Sequence, residues 1–168
     1  IIEGFIGDGE LVLDLNGKTL NGGITIRRCS VRVAIINGTI NVPSSRNNAI
    51  ICEEDIYCYV YNIRIYGNSL CSYGIEVSKG HANVEACEIY GVTGGALVTT
   101  DNASMFIRSC KGSAPYGLIA GGAIIFATGS IPGGTTANVA AWENGRVFAD
   151  GVPVNWGSAP PPQPTYLT

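Results

Sequence analysis

Residues 74–91 read GIEVSKGHANVEACEIYG. A short strand (Ile75, Glu76, Val77) enters the turn Ser78-Lys79-Gly80. A second strand covers Val84 to Ala86, Cys87 makes a corner, and a third strand begins at Ile89. Apolar positions recur every second residue within each piece, the period of a strand with one buried face. Three such pieces in eighteen residues, with no helical period between them, describe one coil of a β-solenoid.

The rest of the chain repeats this unit. Aligned on Gly38, Gly67, Gly91 and Gly112, the positions seven residues earlier are Val31, Val60, Val84 and Met105. Five residues earlier stand Val33, Asn62, Ala86 and Ile107, and two earlier stand Ile36, Ile65, Ile89 and Cys110. All but Asn62 are apolar or Cys. A second column precedes these: Gly23-Ile24, Asn48-Ala49, Gly74-Ile75, Gly95-Ala96 and Gly117-Leu118, each led by a residue that tolerates a left-handed turn. The anchor glycines are 29, 24 and 21 residues apart, a spacing of stacked coils rather than hairpins or βαβ units. The expected fold is all-β, a right-handed parallel β-helix of about five coils. The longer coils place their extra residues at 41–48 and 68–73, as loops leaving one side of the stack.

Composition agrees. Charged residues make up 14% of the chain, and glycine, at 23 of 168 residues, is abundant beside Ile and Val. The net charge of −3 offers no basic field for nucleic acid, and no apolar run is long enough to span a bilayer as a helix. The six cysteines (29, 52, 58, 71, 87, 110) lack zinc spacing, and Cys87 and Cys110 fall at apolar or corner positions of the repeat, which reads as buried free thiols. No cofactor motif is present. The chain starts inside the pattern, so a fragment of a longer protein is expected.

On the outward side, Leu97, Phe106 and Ile119 read as apolar, and Ala123-Ile124-Ile125-Phe126-Ala127 is apolar on both faces. A homotrimer would bury such a patch; a tail folding back within one chain is the other solution. The organisation expected is a β-helix over 1–128, a β extension over 129–156 that oligomerises, and a Pro-rich linker over 157–168. Two strands are expected within 138–155, around the turn Glu143-Asn144-Gly145-Arg146.

The segments VYNIRIYG (60–67), GIEV (74–77), VEACEIYG (84–91), 95–98 and 105–112 resemble the pectin-lyase-like superfamily of right-handed parallel β-helices. In particular they resemble the β-helix tail proteins of bacteriophages: tailspikes, tail fibres and appendages. The likeness covers about residues 10–128. It implies a trimeric virion appendage, with a structural shaft that binds a bacterial cell-wall or surface polysaccharide. The alternative it implies is a polysaccharide-degrading enzyme, a hydrolase or lyase, carried by a phage or secreted.

Enzymes of that kind need paired carboxylates, one to protonate the leaving oxygen and one to act as base or nucleophile. The candidates are Glu53, Glu54 and Asp55 in one turn, and Glu76 on a neighbouring strand. The plainer reading of the same acidic turn is a solvated corner. For glycan binding the candidates are Tyr57, Tyr59, Tyr61, Tyr66 and Tyr73, five rings within 17 residues that can stack on sugars while their hydroxyls hydrogen-bond. Ordinary packing of tyrosines along a sheet is the competing explanation.

Overall fold

The computed structural model describes residues 1–54 and 56–150. The strands in chain order are β1 (Ile2–Glu3), β2 (Glu10–Asp14), β3 (Thr19–Asn21), β4 (Ile24–Arg27), β5 (Arg32–Asn41), β6 (Arg46–Glu53), β7 (Tyr57–Tyr66) and β8 (Cys71–Ser78). They continue with β9 (His81–Glu85), β10 (Glu88–Tyr90), β11 (Gly95–Thr100), β12 (Ser104–Arg108), β13 (Lys111–Gly121), β14 (Ile124–Thr128), β15 (Gly133–Trp142) and β16 (Arg146–Asp150). Every pairing among them is parallel, and each joins a strand to its counterpart one coil away. The fold is a right-handed parallel β-helix of about six turns.

The coil has three faces. Face 1 stacks β1, β4, β6, β8, β11, the second part of β13 and β15. Face 2 stacks β2, the first halves of β5 and β7, then β9, β12, β14 and β16. Face 3 stacks β3, the second halves of β5 and β7, β10 and the start of β13. The strands expected beyond position 128 are β15 and β16, and both lie in parallel on the preceding coil. The turn between them, with positive φ at Glu143 and Asn144, is therefore a corner of the helix rather than the tip of a hairpin. The remainder of the expected extension and the linker at 157–168 lie outside the described residues.

The interior is filled by like-on-like stacks. Ile24, Ile50, Ile75, Leu97, Leu118 and Val139 follow one another on face 1, and Ile40, Ile65 and Ile89 on face 3. Repetition of β-branched side chains at the strand spacing packs each coil on the next without a helix to cover it. All six cysteines are buried and free. Cys87 and Cys110 occupy one interior column, where the adjoining Cys110 sulfur and then burial push the Cys87 thiol well up and keep it protonated.

The register explains where the repeat reading holds. Gly67 and Gly91 are true counterparts, since Tyr66 pairs with Tyr90. Gly38 instead pairs with Ile63 and Gly112 with Ile89, slips of four and two residues. Even slips preserve which side a residue faces, so Arg32, Tyr61, Glu85 and Phe106 do point outward. On face 1 the slip is odd: Gly95 and Asn48 pair with Tyr73, not with Gly74. Leu97, expected outside, is therefore interior, and Val98 takes the outward position. The cause is a bend at which two consecutive residues face the core, Ala49-Ile50 and Ala96-Leu97 among them. The bend accepts only small residues: a Cβ on Gly74 would lie 2.6 Å from the Ala96 carbonyl oxygen.

Candidate functional site

Face 2 presents its outward side chains as three columns along the helix. The first reads Glu10, Arg32, Tyr57, His81, Ser104, Ile124 and Arg146. Two residues along each strand, the second column includes Tyr59, Asn83, Phe106, Phe126 and Phe148. The third includes Tyr61, Glu85 and Arg108. Alternation along β7 is what puts Tyr57, Tyr59 and Tyr61 on one side together.

These tyrosines are held from both sides. The Arg32 guanidinium lies over the Tyr59 and Tyr57 rings, 4.9 and 5.5 Å from their centroids. The Tyr59 and Tyr61 rings stack 6.0 Å apart. On the next coil Asn83 donates to the Tyr57 hydroxyl at 2.8 Å, and the Tyr59 hydroxyl donates to Glu85 at 3.4 Å. Burial, and then the Glu85 charge, push the Tyr59 phenol above its ordinary value, so it stays a donor at neutral pH. Tyr57 and Tyr61 remain 41% and 38% exposed, which leaves ring surface open to a ligand. Toward the C-terminal coils the same face turns apolar, as Phe106, Phe126 and Phe148 stack at 4.9 and 5.1 Å.

The other two tyrosines lie elsewhere. Tyr66 is on face 3, stacked on Tyr90 at 6.1 Å. Tyr73 is buried on the outer side of face 1, in an apolar cluster with Val98, Tyr116, Ile119, Ala137 and Ala140. Ile119, expected to be exposed, is thus fully buried within its own chain.

The carboxylates divide as well. Glu53 pairs with Ser78, and Ile51 with Glu76, so Glu53 and Glu76 occupy adjacent coils two residues out of step. Strand spacing and rise put their Cα atoms about 8 Å apart. Glu76 is 8% exposed, and burial raises its pKa, with the Glu53 and Asp101 charges adding to the shift and a hydrogen bond to Asn48 opposing it. Glu54 sits at the face 1–face 2 corner with φ of 68° and makes a 2.8 Å ion pair with Arg28. Asp55 lies outside the described residues. Among the described residues no group of three or more His, Cys, Asp or Glu is placed to hold a metal ion.

One feature was not anticipated from the sequence. The corner between faces 2 and 3 is built by left-handed residues, Asn16, Asn37, Asn62, Ala86, Ser109 and Gly129, one per coil. Asn62 donates to the Asn37 carboxamide oxygen at 3.2 Å, and Asn37 to Asp14 at 3.4 Å. Beside this amide ladder runs a groove of about 450 Å³, floored by Gly38 and Thr39 and walled by Asn37, Asn62, Arg64 and Glu88. Arg64 and Lys111 both clamp Glu88 at 2.8 Å, and their hydrogen bonds lower its pKa to about 2. The signal in the sequence was the Asn-Gly pair at 16–17 and again at 37–38, which the slipped alignment on Gly38 concealed.

No protein-family model, no curated protein sequence and no solved structure matches this chain.

Proposed function

We propose that this chain is part of a bacteriophage tail appendage, a trimeric β-helix shaft that binds a bacterial cell-surface glycan. The observation that carries the reading is the outer side of face 2, where Arg32, Asn83 and Glu85 hold Tyr57, Tyr59 and Tyr61 in place with ring surface still open. Rings fixed before a ligand arrives lose little entropy on binding, and sugar faces stack on them while ring hydroxyls hydrogen-bond. The stack of coils supplies the rigidity that a shaft needs. Its C-terminal aromatic strip, with Phe106 and Phe148 about half exposed at 52% and 50%, supplies the surface that three copies bury together. The place of action in this reading is the virion.

Two measurements test it. Light scattering on the purified chain gives the mass of a trimer, and a monomeric mass at all concentrations removes the shaft assembly. Binding to bacterial surface polysaccharides falls about ten-fold or more in Tyr57→Ala and Tyr61→Ala. Unchanged binding in both removes face 2 as the glycan surface.

A second reading rests on the buried carboxyl of Glu76. A carboxyl with a raised pKa one coil from Glu53 matches the division of labour between general acid and base in glycan cleavage. It predicts release of new reducing ends or unsaturated products from a polysaccharide substrate, abolished by Glu76→Gln. Absence of cleavage across a polysaccharide panel eliminates it.

A further inference from the structure

The corner between faces 2 and 3 carries asparagine in its first three coils and then departs from it. Asn16, Asn37 and Asn62 adopt φ of 47°, 57° and 53°, and Asn is the residue after Gly that tolerates this region best. The next coil puts Ala86 there, at φ of 54°. Alanine gains nothing at such a position: its Cβ crowds the backbone and it has no side chain to bond locally. It is exposed, so it fills no core. An asparagine would relieve the strain and extend the ladder by one bond, offering Asn62 the contact that Asn62 offers Asn37. What Ala86 does provide is space, because it lines the groove directly above Asn62. Strained positions of this kind gather where a ligand needs the room.

We propose that this groove is a binding subsite for an uncharged sugar residue, held through its adjacent hydroxyls. The inference rests on the glycan reading above and locates a second contact for the same chain of sugars. The polar groups that face the groove suit that ligand. Asn37 and Asn62 present planar carboxamides that both donate and accept, matching a hydroxyl that does the same. Of the charged side chains that line the groove, Arg64 and Glu88 pair with each other, so the lining itself is neutral; Lys111, which also engages Glu88, stands outside it. The groove adjoins the aromatic strip, since Tyr61 immediately precedes Asn62 on β7. A glycan lying across face 2 on the tyrosines therefore reaches the groove by turning the corner.

The test compares two substitutions of one kind. Ala86→Asn puts a carboxamide into the groove, whereas Ser109→Asn puts the same side chain at the same corner one coil on, where φ is 53° and the groove has ended. Both are expected to raise Tm by about 2–4 °C through relief of the left-handed strain. Wild type and variants are then compared on an array of bacterial surface polysaccharides and by titration with neutral oligosaccharides from the responding strain. Ala86→Asn should lose about ten-fold or more in affinity although it is the more stable protein, and Ser109→Asn should not. Asn62→Ala, which removes the carboxamide without filling the groove, should weaken binding too. If Ala86→Asn binds as wild type does while Tyr61→Ala does not, the groove is not a subsite and the glycan reading stands. If wild type binds nothing on the array, both fail together.

Discussion

The outer sides of face 1 and face 2 are built by the same rule and have opposite fates. Each is a flat parallel sheet whose outward positions carry aromatic and aliphatic residues over several coils. On face 1 these residues, Tyr73, Val98, Tyr116 and Ile119, are buried in a second apolar cluster. On face 2 the equivalents, Tyr57, Tyr61, Phe106 and Phe148, are exposed. An apolar outward residue in a β-helix is therefore not by itself a sign of a partner. Face 1 spends its aromatics on the chain's own stability, and face 2 keeps them available.

The largest effect that distinguishes the faces is on stability. Ile119→Ala removes a fully buried side chain from the face 1 cluster and should cost about 2–5 kcal/mol in urea unfolding. Phe106→Ala removes one end of the aromatic stack and should cost only about 0.5–1.5 kcal/mol, with a large change in assembled mass instead. Equal losses in both would erase the contrast. A loss at Phe106 that grows with protein concentration would sharpen it, because the missing surface would then be shared between copies.

A smaller effect comes from the charge hidden on face 1. Burial raises the Glu76 pKa above its ordinary 4.5, so the folded state holds this proton more tightly than the unfolded state. Stability from that source is complete below about pH 4.5 and is lost as pH rises through the folded value. Glu76→Gln removes the charge and keeps an acceptor for Asn48, so it should stabilise the protein at neutral pH by on the order of 1 kcal/mol. A destabilised Glu76→Gln would mean that the carboxylate is compensated where it lies.

How much of this was legible in the sequence varies with parity. The coil, the parallel stacking and the outward side of face 2 were readable because period-two alternation survives an even slip of register. The outer side of face 1 was misread because Ala49-Ile50 and Ala96-Leu97 put two neighbours inside at a bend, and one residue of slip exchanges the faces. The glycines that seemed to mark the repeat were not equivalent, since the bend is satisfied by Ala as well as Gly. Among the site residues, Tyr57, Tyr59 and Tyr61 could be grouped from one strand. Tyr66 and Tyr73 could not, because the corner at Asn62 within β7 turns Tyr66 onto face 3 and Tyr73 lies on β8. The groove depends on three asparagines about 20 to 25 residues apart in sequence, and only the true register brings them into one column.

The smallest effect tests the same contrast with charge in the open. Glu88 lies on the outer side of face 3, where hydrogen bonds from Arg64 and Lys111 lower its pKa to about 2 from 4.5. The sign is opposite to that of Glu76: its stabilisation is present above about pH 4.5 and is lost as pH falls toward 2. The pairs are solvent-accessible, so screening keeps their contribution small, and smaller still at high salt. Melting temperature measured across this acid range should therefore fall in wild type and fall less in Glu88→Gln, with the difference shrinking as salt is added. In Glu76→Gln the acid limb should be unchanged or steeper, because the opposing contribution is gone. If instead the Glu88 contribution resisted salt, the ion pairs would be shielded from solvent. Face 3 would then belong with the covered side of the helix rather than with the open one.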